Sequence, residues 1–473
     1  MTGTALRQNP WKRRQLPVKN EMKYPMKHIC TIVLAVLVFA LGTTCPAVAD
    51  SPPELTADRA VEIAMENSLS RKLATADVDM AQDRVGQALS AFGPVVTLDG
   101  GIYRYDDQPS LVQLEEGLVQ LNNALSALTS GQISTLDMPD DSRTYYGMAV
   151  ELTQPVYTGG RLTAVKKMAE AGRDSARHDL KTADQDLALA VKKAYFTVLL
   201  TRQMTRALDD AVASMVIHVN EAEAYHLMET VPRLDVLRAR EKLADLKQQQ
   251  LLATNNFALA RTALNFTMGV DLSTRYTFGG QPPLGSLPGS LDALVQEALA
   301  RRPELAAMDA KIRMAEDQVA LARSGHLPTV ALVGSAHKFE PENQDPSAEI
   351  GLVASLKLYD HGMVSHSVAL ARHELQKAKT ARTQIERGIR LKVEQAFRNA
   401  QAARESVQVA QSSLVTAKET LEAARTRYQV GLSTSLERLD AEVSLTRART
   451  NHIRALSMYN ISVSELERAL GKE

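Results

Sequence analysis

The chain has 473 residues, 4% of them aromatic, with 55 bases balancing 55 acids. Scarce aromatics and abundant alanine suit helices packed at close range more than one thick globular core. Met1–Ala49 holds seven of the bases and one acid, which leaves 48 bases against 54 acids in the rest; that excess of acid excludes a nucleic-acid partner, which wants a basic face.

The first 49 residues read as a cleaved export signal. Lys23 and Lys27 precede the apolar run Ile29–Leu41, and Ala47–Val48–Ala49 offers a small-x-small cleavage site before Asp50. Met22 and Met26 offer later starts. The run is shorter than the ~20 residues that span a bilayer. Gly42–Thr43–Thr44 before Cys45 is a poor lipobox, so lipidation there is not expected. Both cysteines, Cys30 and Cys45, fall in this leader. The mature chain is expected to hold no disulfide or thiolate metal site.

Residues 50–268 read as a first structural repeat. A helix is predicted over 55–92, with Leu55, Ala60, Ile63 and Ala64 at helical spacing, then Leu73 to Leu89; Pro94 ends it. Strands follow over 95–107 and 143–157. In the second, Tyr146, Met148, Val150 and Leu152 alternate with Tyr145, Gly147, Ala149 and Glu151, the period of a half-buried strand. Between them lies an insertion over 110–142. Its Leu111, Leu114, Leu118, Leu121, Leu125 and Leu128 make an amphipathic helix, either a lid or a plain surface helix. Tyr103, Tyr105, Tyr145 and Tyr146 flank it as an expected interfacial aromatic girdle.

Gln154–Pro155–Val156–Tyr157–Thr158–Gly159–Gly160 then opens a very long helix. No proline falls between Pro155 and Pro232. Residues 161–228 would run ~100 Å at ~1.5 Å per residue. A short break, Glu229–Thr230–Val231–Pro232, leads into a return helix over 233–268, so 161–268 is a helical hairpin. Residues 269–290, rich in Gly and Pro, read as a linker.

Residues 291–473 repeat the pattern. Tyr157 matches Tyr359, Tyr195 matches Phe397, Leu237 matches Leu439 and Gly269 matches Gly471, all at an offset of 202. Upstream, Met80–Val85 matches Met314–Val319 and Pro94 matches Pro328 at an offset of 234, so the first copy carries 32 extra residues. Such an insertion belongs in an exposed loop. The second copy has strands over 329–339 and 347–359, then a hairpin over 363–470 broken at Gly431–Leu432–Ser433–Thr434. The strand-to-helix turn Lys357–Leu358–Tyr359–Asp360–His361–Gly362 puts Lys357 where the first copy has Pro155. That leaves the turn without a fixed φ and sets a cation on the polar side of the strand.

The fold class is therefore mainly α with a small β part, built twice as helix, two strands, very long helix, return helix. Four strands with one apolar face cannot hide their edges in lipid. Closure across several chains would, because only closed barrels satisfy every strand hydrogen bond in a bilayer.

The residues at this point resemble the TolC family of outer-membrane efflux ducts, over about residues 54–471. The resemblance rests on Leu152–Gly160, on Arg302–Pro303–Glu304–Leu305 followed by Leu327–Pro328, on Ala194–Tyr195–Phe196, and on Tyr428–Gln429–Val430–Gly431–Leu432. Their order, spacing and duplication carry it, not any one motif. It implies a homotrimer whose twelve-stranded barrel sits in the outer membrane of a Gram-negative bacterium and continues as a helical tunnel in the periplasm. It also implies a periplasmic adaptor (membrane fusion) protein and an inner-membrane pump of the RND, ABC or MFS type as partners.

Site residues follow from the resemblance. Glu437 and Asp440, just past the second turn, would stack as two carboxylate rings at the periplasmic gate. Three residues apart, they share a helix face, and rings of acids favour cations. A solvated acidic face is the plainer alternative. Tyr428 and Asp235 match two positions of the family's gate latch. The third, usually basic, is Ser433, for which Arg233 or Arg438 would have to substitute. Opening would untwist the 363–470 hairpin relative to the 161–268 hairpin. The adaptor-docking tips would be Glu229, Thr230, Val231 and Pro232, and Val430, Gly431, Leu432, Ser433 and Thr434. Glu229 departs from the family's glycine. Pro155, Gly159, Gly160, Lys357 and Gly362 form the strand-to-helix turns.

Enzymatic chemistry finds no support. His361, His366 and His373 lie five and seven apart, not the four that sets two metal ligands on one face. No phosphate loop or nucleophile elbow appears, and Gly100–Gly101 and Gly279–Gly280 read as turn glycines. No metal or cofactor is expected. Two other readings stay open: a type I protein-secretion duct, and a periplasmic coiled-coil adaptor or scaffold without a pore.

Overall fold

The fold comes from a computed structural model that describes residues 54–105, 143–280, 284–285, 289–340 and 347–472. The expected leader and the amphipathic helix of the 110–142 insertion lie outside the described residues. So do the side chains of Tyr103, Tyr105 and Tyr145; Tyr146 is exposed.

The first copy begins with β1 (Glu54–Leu55), α1 (Ala57–Asn67) and α2 (Leu69–Ser90). The single helix expected over 55–92 is thus divided. Thr56 stops β1 and caps α1 by accepting the Arg59 amide at 3.2 Å, and Ser68 breaks the helix with an extended ψ of 130°. Strands β2 (Val95–Tyr105) and β3 (Arg143–Tyr157) lead into α3 (Arg161–Leu227) and α4 (Arg233–Met268). The region expected to be a plain linker contains β4 (Thr277–Phe278), which pairs in parallel with β1. Arg202 holds it there, donating to Phe278 O at 2.6 Å and Gly279 O at 2.8 Å.

The second copy runs α5 (Leu291–Arg301), α6 (Pro303–Ser324), β5 (Thr329–Glu340), β6 (Ser347–Ser355), α7 (Met363–Gln429) and α8 (Ser435–Ala469). Arg302 breaks α5 from α6 with the same extended geometry as Ser68, ψ 122°. Both α3 and α7 have 67 residues.

The duplication extends to the core. In the first copy Leu187, Val191, Leu264 and Met268 pack with Ala64. In the second, Ile389, Val393, Leu466 and Leu470 pack with Ala298. The helical positions differ by the offset of 202, and Ala64 and Ala298 by 234. Positive φ repeats as well: Gly160 and Gly362 at 84° and 82°, Gly269 and Gly471 at 73° and 74°. Two glycines are replaced by side chains in this strained region. His361 (51°) matches Gly159 (61°), and Glu229 (58°) matches Gly431 (76°).

The four long strands form one antiparallel sheet in the order β2-β3-β5-β6. Register gives each face its character. Leu98 pairs with Val150, Val150 with Ala336, and Leu352 with Leu332 on one face. On the other, Thr97, Glu151, Ser335 and Glu349 fall in one row. Nothing among the described residues covers the apolar face: Leu98 is 65% exposed, Ile102 71% and Ile350 73%. Gly100 and Gly101 sit inside β2, opposite Met148 and Gly147, and are not turn residues. Strand β6 stops at Ser355, four residues short of expectation. Lys357 therefore lies beyond the ladder rather than on a strand face. Among the described residues no helix is long and apolar enough to cross a membrane.

Candidate functional site: the hairpin tips and the strand-to-helix turns

The strand-to-helix turns bind the sequence motifs to one another. A Cβ on Gly159 would lie 2.6 Å from Leu327 Cβ, so Leu327–Pro328 can approach only a glycine. Pro155 sits at a register shift that bends β3 into this turn. Thr158 Oγ1 accepts the Leu162 amide at 3.3 Å. Its mate Asp360 does more, accepting the Gly362 and Val364 amides at 2.9 Å each. Those donors, Val364 first, hold its carboxyl below the usual range. Here Asp360 does the anchoring that the first copy shares between Thr158 and Gly159. His361 packs on Tyr359 with the rings tilted by 57° and their centroids 4.7 Å apart. His366 lies against Gly362, its Cδ2 3.6 Å from where a Cβ would stand.

The tips are short αL turns. Glu229 N donates to His226 O at 2.9 Å and Thr230 N to Tyr225 O at 3.0 Å. In the second tip Gly431 N donates to Tyr428 O and Leu432 N to Arg427 O, at 3.1 and 2.8 Å. Thr434 caps α8 by accepting the Glu437 amide at 3.3 Å. Thr230, Pro232, Val430, Leu432 and Thr434 are exposed, and Val231 and Ser433 partly so. The tips are also apolar beyond the turns, with Leu227 86% exposed beside exposed Met228, Leu234 and Leu436. Sequence reading missed these four. Spacing along the chain does not separate an apolar helix end from core, and only the fold shows these four uncovered.

Glu437 and Asp440 are both exposed on α8. Arg447 and Arg454 continue the line from Asp440 at seven-residue steps, also exposed. The opposite side of α8 is buried and polar. Arg438 is buried between Glu221 of α3, with which it pairs, and Glu442, whose Oε1 is 3.7 Å from its Nε. Its guanidinium stands 5.3 Å from the Tyr428 ring centroid. Tyr428 meets His218 and Tyr225 edge-on, each at 5.7 Å. Arg425 donates to Ser214 Oγ at 2.6 Å and reaches Glu442 at 3.4 Å. Two cations and two carboxylates are thus balanced where α3, α7 and α8 converge.

Asp235 and Tyr428 share no hydrogen bond among the described residues. The Tyr428 hydroxyl is buried without a well-formed partner. Burial pushes its pKa up, opposed by Arg438 and aided by the Asp235 carboxylate. Ser433 turns away, its hydroxyl toward Thr434 O at 3.4 Å. Of the two substitutes considered, Arg233 is exposed and Arg438 is buried in the cluster. The signal for Arg438 was in the repeat, since its mate is the buried Val236.

His218 is fully buried in this cluster, with Nε2 3.3 Å from the Ser435 hydroxyl. Burial first, then the Arg438 field, pushes its pKa down to about 4. Sequence reading gave it no part. In the sheet it likewise missed that Asp99, Glu151 and Glu349 share the polar face, because register is needed to see it.

Residues 60–270 and 294–472 match the family model described as outer membrane efflux protein. The chain belongs to that family. TolC of Escherichia coli K12 is 26% identical over 435 residues, covering 86% of this chain and 80% of its own. TolC of Salmonella enteritidis is 28% identical over 315 residues, 62% of each chain. Among solved structures, the Campylobacter jejuni CmeC outer membrane channel superposes with a TM-score of 0.73 at 17% identity, covering 88% of this chain and 85% of that one. The family places the protein in the outer membrane as an efflux or secretion duct. The long α3–α4 and α7–α8 hairpins are its periplasmic part, and the four-stranded sheet is its share of a barrel.

Proposed function

We propose that three copies close one twelve-stranded barrel and pass small toxic compounds or ions outward, fed by a periplasmic adaptor and an inner-membrane pump. One observation carries this: a sheet with an uncovered apolar face and two free edges, β2 and β6. The alternation along the sheet makes those edge strands antiparallel to each other when β6 of one copy meets β2 of the next. Every open ladder is then satisfied. Strands of nine to fifteen residues match the ~9–11 tilted residues that cross a bilayer.

In this reading Glu437 and Asp440 form the acidic gate rings. The cluster around Tyr428 and Arg438 latches the inner hairpin to α3, with Arg438 in the role that Ser433 cannot fill and Asp235 acting through its field. The exposed apolar tips around 227–232 and 430–434 receive the adaptor. Purified protein should run as a heat-sensitive trimer from the outer-membrane fraction and conduct ions in planar bilayers. Tyr428→Phe combined with Asp235→Ala should raise single-channel conductance, and unchanged conductance removes the latch. A monomer confined to the soluble periplasm refutes the duct.

A further inference from the structure

The two hairpins do not close fully on each other above the latch. They leave a cleft of about 800 Å³, to which α3, α4, α7 and α8 all contribute walls. Its volume is that of a small-molecule site. The floor is apolar: Ala207, Leu208 and Met215 are buried beneath it. The rim is strongly biased in charge, with six cations against three carboxylates.

Those carboxylates are already engaged. Asp210 pairs with Arg449 at 2.7 Å, and Glu422 and Glu442 meet Arg425 at 3.7 and 3.4 Å. The Lys242 ammonium is taken by Asp245 at 2.6 Å, outside the cleft lining. Lys418, Arg447 and Arg454 remain, and none of them has an ion pair among the described residues. The Lys418 charge reaches α8. His452 on α8 is held below its ordinary pKa by burial and then by Lys418.

An apolar floor under three uncompensated cations selects one chemistry. A neutral apolar molecule leaves the cations unanswered, and a small inorganic anion leaves the floor wet. We propose that this cleft binds an amphipathic organic anion, its acidic head held by Lys418, Arg447 and Arg454 and its apolar body on Ala207, Leu208 and Met215. Such a ligand would touch both hairpins at once. Arg425 and Glu442 line the cleft and also belong to the latch cluster, so the occupant sits one side chain from it.

The test uses 8-anilinonaphthalene-1-sulfonate fluorescence on the full chain in zwitterionic nanodiscs, with empty nanodiscs subtracted. Wild type should bind saturably and more weakly as salt rises. Lys418→Gln, Arg447→Gln and Arg454→Gln together should weaken binding at least about tenfold, while the oligomer on a gel is unchanged. The charge-keeping set Lys418→Arg, Arg447→Lys and Arg454→Lys should retain it. N-phenyl-1-naphthylamine, the same rings without the sulfonate, should not distinguish the three proteins. Equal sulfonate binding by wild type and the glutamine set overturns the site. So does an equal loss in the charge-keeping set, or a parallel loss of the neutral probe. Binding is read without channel activity, so failure of the duct reading leaves this result standing, and the reverse holds too.

Discussion

His218 shows what one side chain decides. It is surrounded by Tyr428 and Arg425 from α7, Ser435, Arg438 and Glu442 from α8, and Glu221 and Tyr225 from its own helix. The charged members already balance, so a proton on the imidazole adds an unpaired positive charge in a dry place. Its pKa in the folded state is about 4, below the ordinary 6.5. Stability is therefore complete above pH ~6.5 and is lost as pH falls toward ~4, on the order of 3 kcal/mol in all. Thermal dissociation of the protein should show this acid loss, and His218→Gln should flatten it. Glu229 is the second case. A left-handed φ of 58° costs a side chain roughly 1 kcal/mol that glycine avoids. Glu229→Gly should slow amide exchange at Thr230, whose hydrogen bond closes the first tip.

At the level of elements, the same backbone conformation carries different penalties according to what faces it. Gly269 and Gly431 both have positive φ. A Cβ on Gly269 would stand 2.7 Å from Asn67 O, whereas one on Gly431 meets nothing within 4 Å. Gly431→Ala should lose roughly 1 kcal/mol of stability to backbone strain. Gly269→Ala should lose several times that, because the end of α4 must move off the α1–α2 joint. Comparing their denaturation midpoints checks this. Arg302 plays a similar joining role, donating to Ala469 O and Arg468 O at 3.0 and 3.2 Å. It satisfies carbonyls that the end of α8 would otherwise leave open. The helix lengths, the hairpin breaks and the long strands were legible from proline placement and period alone. The division at Ser68, the β1–β4 pair and the early end of β6 were not, since each depends on a partner distant in sequence.

For the molecule as a whole, the decisive feature is a sheet whose apolar face is bare among the described residues. Leu98→Arg places a charge on the apolar face of β2, and Thr97→Arg places one on its polar face. At bilayer depth the first should cost ~2–4 kcal/mol and the second much less. The yield of heat-sensitive oligomer from the outer membrane should fall for Leu98→Arg alone, and equal yields would place the lipid elsewhere. Glu151 and Glu349 stand in one row on the polar face, a carboxylate belt separate from Glu437 and Asp440. Cation preference in bilayers should therefore survive Glu437→Gln with Asp440→Asn in part. It should fall further when Glu151→Gln and Glu349→Gln are added.

By itself the sequence determined the duplication, the hairpins, the alternating strands and the family. These follow from local period and from spacing, which need no knowledge of what touches what. Tertiary structure alone decided that His218 lies in the cluster around Tyr428 and Arg438, and that Lys357 misses the sheet. It also brought Lys418, Arg447 and Arg454 around one apolar floor. Burial and charge balance are properties of neighbours drawn from four helices, and the spacing along any one of them does not contain that information.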